Sequence, residues 1–90
     1  MMKVKIELYG ATKDLSKKNF IEVEIKKNSS IKDIKFHLLK FVEKNFNGSE
    51  NLKKLIISSA FCSDKDELIS ENHKISQNQV VGIIPPIGGG

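Results

Sequence analysis

"VVGIIPPIGGG", residues Val80 to Gly90, joins an uncharged apolar run to two prolines and three glycines. The run from Val80 to Ile84 has the composition of a strand covered on both faces in the middle of a sheet. Alternation sends Val81 and Ile83 inward, and Val80, Gly82 and Ile84 to the other face. Pro85 and Pro86 carry no backbone N–H to share with a neighbouring strand, so the strand ends at Ile84. Each proline fixes φ near −65°, and Pro86 also biases Pro85 toward extended geometry. Beyond this stiff exit, Ile87 to Gly90 reach about 13 to 14 Å if extended. The chain therefore divides into a folded domain over 1–86 and a flexible glycine tail over 87–90, with one apolar side chain, Ile87, and a carboxylate at Gly90.

A buried last strand needs neighbours. "KVKIELY" (Lys3 to Tyr9) alternates with period two, Val4, Ile6 and Leu8 on one face and Lys3, Lys5 and Glu7 on the other, as a half-buried strand does. "GATKDLSKKN" is polar and turn-rich and reads as a loop, and "FIEVEIK" (Phe20 to Lys26) alternates again, so the first two strands form a wide hairpin. From Ser30 the period changes: Ile31, Ile34, Leu38, Phe41 and Val42 fall at helical spacing. Ser30 and Asp33 fit a capping box that the short carboxylate answers only in part, Lys40 and Lys44 suit the negative end of the dipole, and Gly48 is the stop. The spacing predicts a helix over 31–46, with Phe36 and Leu39 on a second contact edge. "LKKLIISSAF" (Leu52 to Phe61) is β-rich and predicts a third strand. "CSDKDELISENHKISQNQ" reads as a long irregular connection anchored by Leu68, Ile69 and Ile75.

Strand, strand, helix, strand, strand gives an α+β domain with one main helix packed on one face of a mixed sheet. A right-handed crossover places the last strand parallel to the first, in the sheet centre. That is the ubiquitin-like β-grasp arrangement.

With 39% hydrophobic and 29% charged residues, the 90-residue chain has a globular composition. Its net charge is +4, but all fifteen basic residues are lysines scattered singly or in pairs. The absence of arginine, the usual bidentate reader of phosphates and guanine edges, argues against nucleic-acid binding. No apolar run approaches the roughly 20 residues that span a bilayer, and the alternating N-terminus is unlike a signal peptide, so no membrane partner and a cytoplasmic location are expected. The single cysteine, Cys62, agrees with a reducing compartment and reads as a packed side chain. His37 and His73 lack a second ligand at metal spacing, so no metal site is expected. Asp64, Asp66 and Glu67 read as a solvated loop, and no nucleophile–base constellation or phosphate-binding glycine loop is present.

On the ending "VVGIIPPIGGG", the N-terminal "KVKIELYGATKDLSKK", the length and the element order, the chain resembles the MoaD/ThiS-type sulfur carriers, above all the small sulfur-carrier subunit of molybdopterin synthase. Ile84-Pro85-Pro86 stands for the family's Phe-Pro-Pro exit, Ile87 for its apolar residue, Gly88 for its small residue and Gly89-Gly90 for its terminal pair. The resemblance implies that Gly90 is the reactive residue, that Gly88 and Gly89 insert into a partner's channel, and that Gly82, Ile84, Pro85, Pro86 and Ile87 bind partners. It implies no cofactor bound by the chain itself. It also implies an ATP-dependent adenylyltransferase/sulfurtransferase partner that adenylates Gly90 and converts it to a terminal thiocarboxylate. By the same resemblance, the large catalytic subunit of molybdopterin synthase, assembled with the carrier as a heterotetramer, is expected to use that sulfur for molybdenum cofactor biosynthesis. The chain is thus expected to be a carrier that is not catalytic alone. Open beside this are a thiazole-pathway sulfur carrier, a ubiquitin-like protein modifier that also uses Gly90, and a ubiquitin-like interaction module without C-terminal chemistry.

Overall fold

Met2–Leu8 form strand β1, in which Met2, Val4, Ile6 and Leu8 are buried and the residues between them face solvent. Strand β2, Phe20–Ile25, runs antiparallel beside it with Val4 opposite Val23 and Ile6 opposite Ile21. On the outer face the register sets Lys3 beside Glu24 and Lys5 beside Glu22, pairing opposite charges across the strands. The computed structural model describes residues 1–86. The connection expected to be a plain loop contains a 3-10 helix, Gly10–Leu15, which buries Thr12 and Leu15.

After the two-residue strand β3, Ser29–Ser30, helix α1 spans Ile31–Asn45 and buries Ile31, Ile34, Leu38 and Val42 of the predicted stripe, while its fifth member, Phe41, is only partly buried against the core. Its capping box is fully reciprocal. Asp33 N–H donates to Ser30 Oγ at 3.2 Å, and Ser30 N–H donates to Asp33 Oδ2 at 2.9 Å. Asp33 thus answers more completely than its length suggested. Two further first-turn amides, those of Ile31 and Lys32, donate to the carbonyls of His73 and Glu71 at 3.1 and 3.0 Å, so a distant loop satisfies donors that a helix start leaves open. At the other end Asn47 and Gly48 both take the left-handed conformation (φ 52° and 67°), and the Gly48 amide donates to the Val42 carbonyl at 3.2 Å, so the helix stops at the expected glycine.

The predicted strand over Leu52 to Phe61 is not one element. Glu50–Ser58 form a second helix, α2, and the strand that follows, β4, is Ala60–Ser63. Ser49 Oγ accepts from the Leu52 amide at 3.3 Å, and Leu52 and Ile56 at helical spacing turn to the core; this cap and spacing override the strand preference of Ile56 and Ile57. The long connection also holds order: β5, Leu68–Ile69, pairs with β4, and β6, Lys74–Ile75, pairs with β3. Ile75 is fully buried and Ile69 packs on the core, but Leu68 is 76% exposed and anchors nothing.

The last strand, β7, is Gln79–Ile84. The five-stranded sheet runs β2-β1-β7-β4-β5, with β7 parallel to β1 and antiparallel to β4. The expected architecture, a central last strand parallel to the first with a main helix against the mixed sheet, is observed, with α2 added. Val81, Ile83 and Phe61 meet Ile34, Leu38, Val42 and Ile56 in one core. Among the described residues no helix is long and apolar enough to cross a membrane.

Removing the Ser30 hydroxyl in Ser30→Ala should lower stability by about 1 kcal/mol and the thermal midpoint by about 4 to 8 °C, read by circular dichroism. The backbone amide of Ser30 holds the Asp33 carboxyl below its ordinary range. A carboxylate whose folded pKa is depressed contributes stability that is complete above its unfolded pKa, about 3.9, and lost as pH falls through the lower folded value. Asp33→Asn should therefore flatten that acid part of the stability profile and leave its shape near neutral pH unchanged; an unaltered acid slope would contradict the box.

Candidate functional site at the base of the tail

Where β7 leaves the sheet, Ile84 lies opposite Ala60 of β4, and the ladder stops at Pro85. Pro85 rests on the chain's first turn. Gly10 adopts φ +54°, and a Cβ built there would lie 3.0 Å from Pro85 Cγ, so a glycine both permits the turn and lets backbone sit against the proline ring. Buried Thr12 locks that turn: its hydroxyl accepts from the Tyr9 amide at 2.9 Å and donates to the Tyr9 carbonyl.

Gly82 is buried, and what approaches it is the chain's own Tyr9. A Cβ at this position would lie 2.8 Å from Tyr9 Cε2 and 2.8 Å from Cys62 Sγ. The expectation that Gly82 leaves room for a partner is thereby corrected: the ring of Tyr9 and the sulfur of Cys62 fill that room. Cys62 lies opposite Gly82 in the sheet and is buried, as its reading as a packed side chain required. Burial pushes its thiol up from the ordinary value, which suits an inert side chain rather than a thiolate. Tyr9, 42% exposed, has its phenol raised chiefly by the Glu7 carboxylate, so it stays a neutral hydroxyl at pH 7.

Ile84 and Pro85 are half-buried and Pro86 is exposed, and all three line an open groove of about 660 Å³. Tyr9, Gly10 and Ala11 form one wall; Asn51, Lys54, Leu55 and Ser58 of α2 form the other. The predicted partner-binding residues Ile84, Pro85 and Pro86 are therefore brought together, while Gly82 lies beneath Tyr9. Ile87, Gly88, Gly89 and Gly90 lie outside the described residues. Reading the third element as a strand misses the α2 wall, and Tyr9 and Gly10 are missed because their contacts with Gly82 and Pro85 are long-range; the Ser49 cap followed by Leu52 and Ile56 is the signal that reveals the helix.

Among the described residues no three His, Cys, Asp or Glu side chains are placed to hold a metal ion. What the groove offers is apolar surface beside one ammonium, Lys54, which suits docking.

Solved structures share this fold over nearly the whole chain. A putative molybdopterin converting factor subunit 1 from Pyrococcus furiosus is 18% identical, covers 97% of this chain and 100% of its own, and superposes with a TM-score of 0.71. A ubiquitin from Caldiarchaeum subterraneum is 15% identical, with 99% and 98% covered and a TM-score of 0.61. The chain has the ubiquitin-like β-grasp fold. Another β-grasp neighbour is SAMP1 from Haloferax volcanii, 13% identical, with 98% and 99% covered and a TM-score of 0.67. The complex of subunits 1 and 2 of molybdopterin-converting factor from Helicobacter pylori contains a match at 21% identity, covering 99% of this chain and 100% of that one, with a TM-score of 0.53. No family sequence model and no curated protein sequence matches the chain.

Tyr9 is the single tyrosine and tryptophan is absent, so intrinsic emission near neutral pH reports this ring. Gly82→Ala should push the ring away from the sheet, change that emission, and cost about 1 to 3 kcal/mol by overpacking. Unchanged emission and stability would show that Tyr9 does not close over Gly82.

Proposed function

We propose that this chain is a sulfur carrier whose Gly90 carboxylate is activated and converted to a thiocarboxylate, serving as the small subunit of a molybdopterin synthase. The observation that carries the reading is the exit of β7: the strand at the sheet centre runs through Pro85 and Pro86, beside an open apolar groove, into a sequence ending in three glycines. The fold likeness to two molybdopterin converting factor subunits supports it.

The chemistry is consistent with that division of labour. A terminal carboxylate with a pKa of about 3.3 to 3.7 is ionised at pH 7 and is a poor electrophile. In the proposed sequence a carboxylate oxygen attacks the α-phosphorus of ATP on an activating partner and pyrophosphate leaves. A sulfur nucleophile then displaces AMP from the acyl carbon, and the thiocarboxylate is delivered to a large catalytic subunit. The acid–base groups belong to those partners, and this chain supplies the acyl end and the docking groove. The Helicobacter pylori complex of subunits 1 and 2 supports a large-subunit partner of this kind. A buried, free Cys62 suits the reducing cytoplasm in which we place the reaction.

The likeness to a ubiquitin favours one second reading, a protein modifier in which the activated Gly90 is transferred to a lysine instead of to sulfur. Purified activating enzyme, ATP and a sulfide source provide the test, with intact mass as the readout. Wild type should gain one sulfur in place of one oxygen. Deleting Gly90 leaves the carboxylate about 3.5 Å short, and a displacement of about 1 Å can cost on the order of a hundredfold in rate. That deletion and a one-alanine extension should abolish conversion while helix content and melting temperature stay at wild-type values. Conversion of both variants at the wild-type rate would overturn the assignment of Gly90.

A further inference from the structure

The groove at the end of β7 carries a single charge. Among the described residues that line it, Lys54 alone is charged at pH 7, because the raised Tyr9 phenol stays neutral there. Lys54 is exposed and forms no ion pair among the described residues. Ala11, Leu55 and Ile84 provide apolar surface, and the Ser58 hydroxyl is already committed, donating to the Lys54 and Leu55 carbonyls at 2.8 and 3.2 Å. Pro86, the last described residue, also lines the groove, so the chain leaves the folded domain at the wall of this site. The α2 wall, from Asn51 to Ser58, is about 10 Å long. The four residues after Pro86 reach about 13 to 14 Å if extended. They are Ile87, Gly88, Gly89 and Gly90, one apolar side chain followed by backbone alone.

We propose that in the free protein this groove seats the chain's own tail, with Ile87 against Ala11 and Leu55 and the Gly90 carboxylate on the Lys54 ammonium. The inference rests on the reading above, in which Gly90 ends the chain as a carboxylate. Three features select this occupant. The tail is tethered at the groove by Pro86, which gives it an effective concentration on the order of millimolar that no separate molecule has. Its one charge has the sign that Lys54 answers, and no lining carboxylate opposes it. Beyond Ile87 it has no side chains, so its backbone can lie close along α2, within reach of the Asn51 carboxamide and the Tyr9 hydroxyl. One apolar side chain and one exposed ion pair must offset the ordering of four residues, so the seat is shallow. That shallowness gives it a role. The reactive end is covered in the free carrier, and a partner that fills the groove displaces it and is thereby presented with Gly90.

The test uses the full chain, alone in solution and isotope-labelled for NMR. The Ile87 methyls should show contacts to the methyls of Ala11 and Leu55. The Gly90 carboxyl carbon should titrate about half a pH unit below the ordinary chain-end value of about 3.3 to 3.7. Lys54→Met should return that titration to the ordinary value and weaken the contacts, whereas Lys54→Arg should preserve both. Ile87→Asp should remove the contacts. Helix content should hold in all three variants, since Lys54 is exposed and Ile87 lies beyond the last strand. An ordinary Gly90 titration in wild type, or an Ile87 without contacts to the groove, would overturn the proposal. So would contacts found only between labelled and unlabelled copies in a mixed sample, which would seat one chain's tail on another. Offering the same protein to the activating enzyme separates this claim from the carrier reading. Contacts in a chain that gains no sulfur would leave the seat standing and sink the carrier; sulfur gain in a chain without contacts would do the reverse.

Discussion

The parallel pairing of β1 with β7 is the constraint on which the rest of the structure depends. It joins the two ends of the described chain, Val4 to Gln79 through Leu8 to Ile83, and puts both strands in the interior of the sheet. Parallel neighbours cannot be joined by a hairpin, so the chain between them must cross over, and α1 makes that crossing while covering the inner face. The apolar set Val4, Ile6, Leu8, Val81 and Ile83 then has one side to face, and Ile34, Leu38 and Val42 meet it there. A slip of one residue in this register would turn that whole set to solvent, so the core fixes the pairing as much as the pairing builds the core.

The same constraint determines where the tail begins. Because β7 is central, its end is flanked by β4 on one side and by the turn after β1 on the other, and the prolines release the chain between two elements already packed in place. Gly10 lets the turn approach Pro85, Thr12 locks it, and Tyr9 folds over Gly82 to close the outer face. The stiffness attributed to the proline pair is thus reinforced by tertiary contacts that no local reading of "IIPPIGGG" contains. The proposed carrier chemistry draws on this: a reactive end held on a short lead needs a base that does not move.

Much of the fold was legible because its periods are clean. Alternation marked β1, β2 and the inward residues of β7, and the helical stripe from Ile31 to Val42 with its Ser30 cap marked α1. The sequence misled where two signals compete. "LIIS" in α2 has β-branched residues that favour a strand, and only the Ser49 cap and the core-facing Leu52 and Ile56 decide for helix. Leu68 looked like an anchor because it is apolar, yet it sits on an edge strand with its side chain outside. Of the site, Ile84, Pro85 and Pro86 were legible because proline chemistry is local. The covering of Gly82 by Tyr9 is long-range packing and left no periodic trace.

The central claim, that Gly90 carries sulfur, is tested most directly by mass spectrometry of the C-terminal peptide released from protein isolated out of its native cells. The account predicts a fraction of the peptide heavier by one sulfur-for-oxygen exchange located at Gly90. A peptide carrying only an ordinary carboxylate under every growth condition, or found joined to a lysine of another protein, would contradict it.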